Sequence, residues 1–177
     1  MNKNIELIQK TAMLKYLNCQ VTFAEIPTEI SLCINITNCP IHCSECHSKE
    51  LWKDVGEELT KSTLEDLLIS NRGITCVCFM GGDAEPLEVN ELSKWVHMHY
   101  NNKVKTAWYS GKEEPPNFEL DFNYVKLGPY KKEYGPINVK TTNQRMYEFN
   151  PLYSDCSVLG KSWRDITYKF WKDDSDS

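Results

Sequence analysis

The sequence predicts an α/β fold, with a mostly parallel sheet forming a partial, open (β/α) barrel. Two observations point to it. Apolar, strand-like runs alternate with amphipathic helical stripes. The cysteine-rich and glycine-rich turns fall directly after those runs, where α/β folds place ligands. A chain of 177 residues that is 41% hydrophobic supports one well-buried core and is too short for two typical domains. A single domain over residues 1–177 is expected, with 1–27 as an N-terminal extension and 171–177 as a flexible tail.

The elements follow in order. Leu17 to Ile26 suits an edge strand or two closed by Pro27. The run EISLCINI, residues 29–36, is rich in β-branched and apolar residues, as a buried strand requires, and it leads into a cysteine-dense loop at 38–47. Ser62 and Glu65 have capping-box spacing, and Leu64, Leu67 and Leu68 share one helical face, so 62–70 reads as a helix ended by Asn71 and Gly73. ITCVCFM, residues 74–80, is nearly all apolar and suits a strand covered on both faces. Pro86 starts a helix over 86–100, where its missing N–H costs nothing, and Val89, Leu92, Trp95, Val96 and His99 form its stripe. Val104–Ser110 and Phe122–Leu127 read as two further strands with no room for a helix between them. MYEFN and DITYKFW suit a terminal antiparallel pair, and DDSDS a solvated tail.

The net charge of −5 and the lack of a Lys/Arg run argue against a nucleic-acid partner. No segment approaches the ~20 apolar residues of a membrane span, and the amino terminus has no export signal. Eight cysteines in such a chain are expected to be reduced thiols in a cytoplasmic setting rather than a disulfide scaffold.

NCPIHCSECH places Cys39, Cys43 and Cys46 in a C-x₃-C-x₂-C pattern that one loop can wrap around a cubane. Four thiolates normally serve a cubane's four irons, so three leave one iron for an outside ligand. This spacing resembles the defining motif of the radical S-adenosylmethionine superfamily. The resemblance implies a [4Fe-4S] cluster on Cys39, Cys43 and Cys46, with S-adenosylmethionine on the open iron. Reductive cleavage of that cofactor gives methionine and a 5′-deoxyadenosyl radical. Many members carry an aromatic residue before the third cysteine, whereas this chain has Glu45; His47 is the candidate for that place beside the adenine. Cys46, His47 and Trp52 are similar to the pattern of proteins that activate anaerobic ribonucleoside-triphosphate reductases, while Ser48 departs from it.

MGGDAEPL, residues 80–87, resembles the family's Gly-Gly-Glu-Pro segment, whose backbone edge binds the cofactor's amino group. Glycines there admit close backbone approach. Gly81 and Gly82 transfer directly; the acid is Asp83 or Glu85, because one Asp-Ala step intervenes. KTAWYSG, residues 105–111, resembles a strand ending in Tyr-Thr-Gly and puts Ser110 near the methionine part. YVKLGPY (124–130) and TTNQR (141–145) are similar to the tail of the reductase-activating proteins. The resemblance covers roughly residues 15–170. It implies a radical S-adenosylmethionine oxidoreductase that removes hydrogen from a glycine of an anaerobic ribonucleoside-triphosphate reductase, fed by a low-potential donor such as flavodoxin or ferredoxin.

Two alternatives stand beside it: activation of another glycyl-radical enzyme such as a formate-lyase, and a non-enzymatic zinc module on Cys39, Cys43, Cys46 and His47. Cys76 and Cys78, like Cys19, Cys33 and Cys156, read as core packing. His97 and His99 read as boundary or satisfied core histidines. No Ser-His-Asp or paired-carboxylate arrangement stands out.

Overall fold

The computed structural model describes residues 13–171. Residues 1–12 and the acidic end DDSDS lie outside it. The described chain forms β1 (Lys15–Thr22), β2 (Ser31–Ile36), β3 (Glu57–Glu58), α1 (Lys61–Ser70), β4 (Cys76–Met80), α2 (Pro86–His99), β5 (Lys105–Tyr109), β6 (Tyr124–Leu127), β7 (Arg145–Phe149), β8 (Cys156–Ser157), β9 (Gly160–Lys161) and β10 (Trp163–Asp165). Short 3-10 turns occupy Lys49–Trp52 and Thr167–Phe170.

Eight strands form one sheet in the order β10-β7-β6-β5-β4-β2-β1-β3. The four central strands, β2, β4, β5 and β6, run parallel. The flanking strands β1, β3, β7 and β10 are antiparallel, so the sheet is mixed. The connections explain this. Only the β2–β4 and β4–β5 links contain an α-helix, the β5–β6 link crosses over as loop, and the flanks return through links without one.

Alternation along the strands separates two apolar layers. Leu32, Ile34, Ile36, Val77, Phe79, Trp108, Val125 and Leu127 pack with Leu64, Leu68, Val89, Leu92 and Val96 of the helices. Cys33, Cys76, Cys78, Ala107, Tyr124 and Met146 form the opposite layer with Ile26 and Ile166, and neither helix contributes to it. Both helices therefore cover one face, and the cavity described below opens on the other.

Several boundaries differ from the sequence expectation for identifiable reasons. The cap of α1 is Thr60, whose hydroxyl accepts from the Thr63 amide at 3.1 Å, and not Ser62, which lies inside the first turn. Strand β1 starts two residues earlier than expected and ends at Thr22, well before Pro27, so part of the expected extension belongs to the sheet. The terminal pair forms through Trp163–Asp165 against Tyr147–Phe149, while ITYKF turns into a 3-10 coil. Trp171 is partly buried and its amide reaches the Tyr168 carbonyl at 3.2 Å, so ordered packing runs into the first residue of the expected tail.

At the amino ends of the parallel strands, Glu29 is buried and fully engaged. It accepts from Lys105 Nζ at 2.6 Å and Tyr124 OH at 3.1 Å on one oxygen, and from Thr75 Oγ1 at 2.6 Å on the other. Burial pushes its carboxyl up, but the Lys105, Thr75 and Tyr124 bonds outweigh it and hold the group below the usual range. A depressed carboxylate contributes stability above its unfolded pKa, and that stability is lost as pH falls through the folded value. Glu29→Gln is expected to cost about 2 kcal/mol at pH 7, after allowing for the exposure of Lys105, and the cost should shrink in acid. Urea unfolding of both forms at pH 7 and pH 4 checks this; equal losses at both would count against it.

Candidate metal centre

The cysteine loop leaves the carboxyl end of β2 and is tied to the turn that follows it. The Asn38 amide donates to the Lys53 carbonyl and the Cys39 amide to the Leu51 carbonyl, both at 3.0 Å. Asn38 and His42 adopt positive φ (60° and 50°), which bends the chain tightly on both sides of Cys39. All eight cysteines are free thiols.

Cys39, Cys43 and Cys46 line one cavity of about 220 Å³ together with Trp52, Gly81, Asp83, Ser110, Lys126, Tyr130 and Gln144. Its floor comes from strand register. Asn35, Met80, Tyr109 and Lys126 stand in one row across β2, β4, β5 and β6, all pointing away from the helices. The next row holds Cys33, Cys78, Ala107 and Tyr124, sealed in the core. Three cysteines thus face the cavity and the sheet thiols sit beneath it.

The thiols of the loop meet backbone donors. The Ser48 amide donates to Cys46 Sγ at 3.4 Å. Burial pushes the Cys39 thiol up, the amides of Ile41 and His42 pull it back, and the negative charges of Asp83 and Cys43 add to the rise. A metal would displace that proton, as thiolate ligation requires.

At the end of β4, Gly81 and Gly82 have φ of +100° and +86°. Gly81 lies on the cavity, and its carbonyl accepts from Trp108 Nε1 at 2.8 Å. Gly82 does not line the cavity: a Cβ there would lie 2.5 Å from Val89 Cγ2, so its need is close packing against α2. Asp83 is 3% exposed and faces the cavity. Its two oxygens accept from Ser110 Oγ at 2.5 Å and from the Gly111 amide at 2.9 Å. Glu85 instead precedes α2 as its cap residue and is not part of the cavity wall. Gly111 in turn sits against Ile41 of the cysteine loop, where a Cβ would come within 2.8 Å of Cγ1. Asp83 therefore braces β4, β5 and the cysteine loop into one unit.

His47 lies behind the wall, its ring centre 5.6 Å from that of Tyr130, which lines the cavity in its place. The TTNQR segment closes the β6–β7 loop: Asn143 Nδ2 donates to the Pro129 carbonyl at 2.9 Å, and Gln144 reaches the cavity.

Lys126 is the residue that sequence reasoning missed. Only 9% exposed, it donates to the Gly128 carbonyl at 2.9 Å, and burial pushes its amine down to about 8 against the opposing charges of Cys43 and Asp83. A polar residue two positions after Tyr124 in an otherwise apolar strand was the available signal.

Residues 30–113 match the model of a family described as a 4Fe-4S single cluster domain. The matched iron–sulfur segment includes all three loop cysteines, Gly81, Asp83 and Ser110, and stops short of Lys126. No curated protein and no solved structure matches the chain.

Elsewhere the residues have structural partners. His97 Nδ1 lies 2.6 Å from Asp121, and Nε2 lies 3.0 Å from both Asn123 and Thr106. Neighbouring Ser93 bonds Thr106 and the Asp121 carbonyl, not the imidazole, so these residues form no nucleophile–base pair. His99 stacks on Trp95 with ring centres 4.7 Å apart. Cys33, Cys76 and Cys78 are buried as expected, whereas Cys156 is exposed, because its β8–β9 hairpin stands apart from the main sheet. Among the described residues no helix is long and apolar enough to cross a membrane.

Proposed function

We propose that Cys39, Cys43 and Cys46 hold a [4Fe-4S] cluster, that S-adenosylmethionine occupies the adjoining cavity, and that the chain activates an anaerobic ribonucleoside-triphosphate reductase. The observation that carries this is one cavity lined by the three loop thiols together with two buried residues of opposite charge, Asp83 and Lys126. Three thiolates leave one iron for a ligand that is not cysteine. The amino and carboxylate groups that would reach that iron would lie beside Asp83 and Lys126, which suit them in turn as acceptor and cation. When bound, the two groups supply the reductive cleavage whose radical takes hydrogen from a glycine of the reductase.

The donor set fits the cluster better than a single zinc ion. The matched family is described as a 4Fe-4S single cluster domain, and His47, the fourth ligand of a Cys₃His zinc site, is not part of the cavity wall that the three cysteines share. Zn–S bonds of about 2.3 Å in a tetrahedron require sulfurs about 4 Å apart. A cubane gives each thiolate its own iron and spreads them around the cavity wall.

The chain's own residues do the positioning. Asp83 keeps lone pairs free beyond its bonds to Ser110 and Gly111, so it can accept from the cofactor's amino group while bracing the loop. Gly81 lines the cavity with its N–H given to the Tyr109 carbonyl and its carbonyl accepting from Trp108 Nε1, which fixes that edge of the site. Lys126 carries its positive charge when an anion enters, and Tyr130, Trp52 and Leu51 form the apolar wall that excludes water. The NQR segment and the GPY turn, which resemble the reductase-activating proteins, support the reductase as partner.

The test is anaerobic incubation of the reduced, cluster-loaded protein with S-adenosylmethionine and a purified reductase. Formation of 5′-deoxyadenosine together with a glycyl radical signal on the reductase is the expected result. Cofactor cleavage with the radical appearing only on a formate-lyase would move the assignment to that partner. No cleavage under strong reduction, with the cluster intact, would overturn the radical reading.

A further inference from the structure

The cysteine loop is backed by one aromatic residue whose polar atom has nothing to bond. Trp52 ends the turn Lys49–Trp52, and its ring stacks on His42 with centres 4.6 Å apart and planes 21° apart. The Lys49 ammonium sits 5.7 Å from the same ring centre. These contacts, with the backbone bonds from Asn38 and Cys39 to Lys53 and Leu51, leave the indole little freedom to turn.

Among the described residues, Ser31 Oγ, Trp52 Nε1, Asn143 Oδ1 and Trp171 Nε1 are buried side-chain atoms without a hydrogen-bond partner. Of those four residues, only Trp52 lines the cavity shared by Cys39, Cys43 and Cys46. By contrast the Trp108 indole donates to the Gly81 carbonyl. A buried N–H donor without an acceptor is costly, and such a group in a folded protein calls for a partner. One backbone donor beside the cysteines already points at sulfur, the Ser48 amide at Cys46 Sγ, 3.4 Å away.

We infer that Trp52 Nε1–H donates a hydrogen bond to a sulfur of the loaded centre, and that this bond tunes the cluster's reduction potential. The inference rests on the cluster assignment made above. A thiolate or sulfide carries more negative charge than a free thiol and is the acceptor that the metal-free chain lacks. Because the reduced cluster is the more negative state, a donor aimed at its sulfur favours reduction.

The test compares wild type with W52F, which keeps an aromatic ring against His42 and removes the N–H donor. Iron and sulfide content are measured first, then the midpoint potential and the proton couplings of the reduced cluster before and after exchange into D₂O. The expected outcome is full cluster content in both, a more negative potential in W52F, and loss of one exchangeable coupling. Equal potentials with unchanged couplings would overturn the Trp52 role and leave the cluster assignment standing. If wild type assembles no iron–sulfur cluster, both fall. Should W52F fail to hold its cluster, wild type grown on tryptophan labelled with ¹⁵N in the indole decides: a ¹⁵N coupling supports the bond, and its absence overturns it.

Discussion

Serine in place of any one of Cys39, Cys43 or Cys46 is expected to abolish stable cluster incorporation and lower reductase activation by well over 100-fold. The magnitude follows from ligand chemistry. Loss of an outer partner of a metal ligand already costs about 10–100-fold, and a ligand itself costs more. A serine hydroxyl, far harder to deprotonate than a thiol, is a poor replacement for a thiolate on iron, and a three-thiolate cube has no spare cysteine to compensate. Three of the five other thiols supply the control. Cys33, Cys76 and Cys78 lie below the cavity floor or deeper in the core, so serine there should leave the iron content unchanged while costing about 1–3 kcal/mol through a buried hydroxyl. Iron and sulfide analysis of the six variants after anaerobic reconstitution separates the two classes. Normal iron content in C39S, C43S and C46S alike would remove the proposed centre from this loop.

Lys126→Met is expected to stabilise the cluster-free protein and to cripple cofactor binding. Burial lowers the folded-state pKa of this amine to about 8, below its unfolded value of about 10.4. The folded state therefore binds fewer protons than the unfolded one. The penalty is fully present below pH ~8 and is relieved as pH rises toward ~10.4. A shift of that size corresponds to roughly 3 kcal/mol, of which the lost bond to the Gly128 carbonyl takes back about one. The net gain expected for K126M is about 2 kcal/mol at pH 7, vanishing near pH 10. Urea unfolding across that range measures it, and equilibrium dialysis of S-adenosylmethionine against the loaded protein should show at least a tenfold loss. A variant less stable than wild type at pH 7 would contradict the burial argument. Natural sequences accept such a cost where function needs the charge.

How much of this was legible depends on how local each signal is. Strands β2 and β4 and helix α2 announce themselves through composition and a 3.6-residue stripe, and the cysteine loop through spacing alone. The α1 cap was misplaced because Thr60 and Ser62 are both good caps, and only the backbone geometry chooses between them. Gly82 looked like a ligand-binding glycine, yet its constraint is Val89 seven residues later, which no motif reveals. The choice between Asp83 and Glu85 was open because both flank the same turn, and the fold turns Asp83 into the cavity while Glu85 begins a helix.

By itself the sequence determined the α/β alternation, the three-cysteine loop and its place after a buried strand, because these follow from neighbours along the chain. Tertiary structure alone decided that Asn35, Met80, Tyr109 and Lys126 share a floor, that Tyr130 stands before His47, and that Trp52 keeps its indole N–H without an acceptor. Those relations depend on strand register and on loops meeting across the sheet, and register is a property of pairs of segments that no single segment encodes.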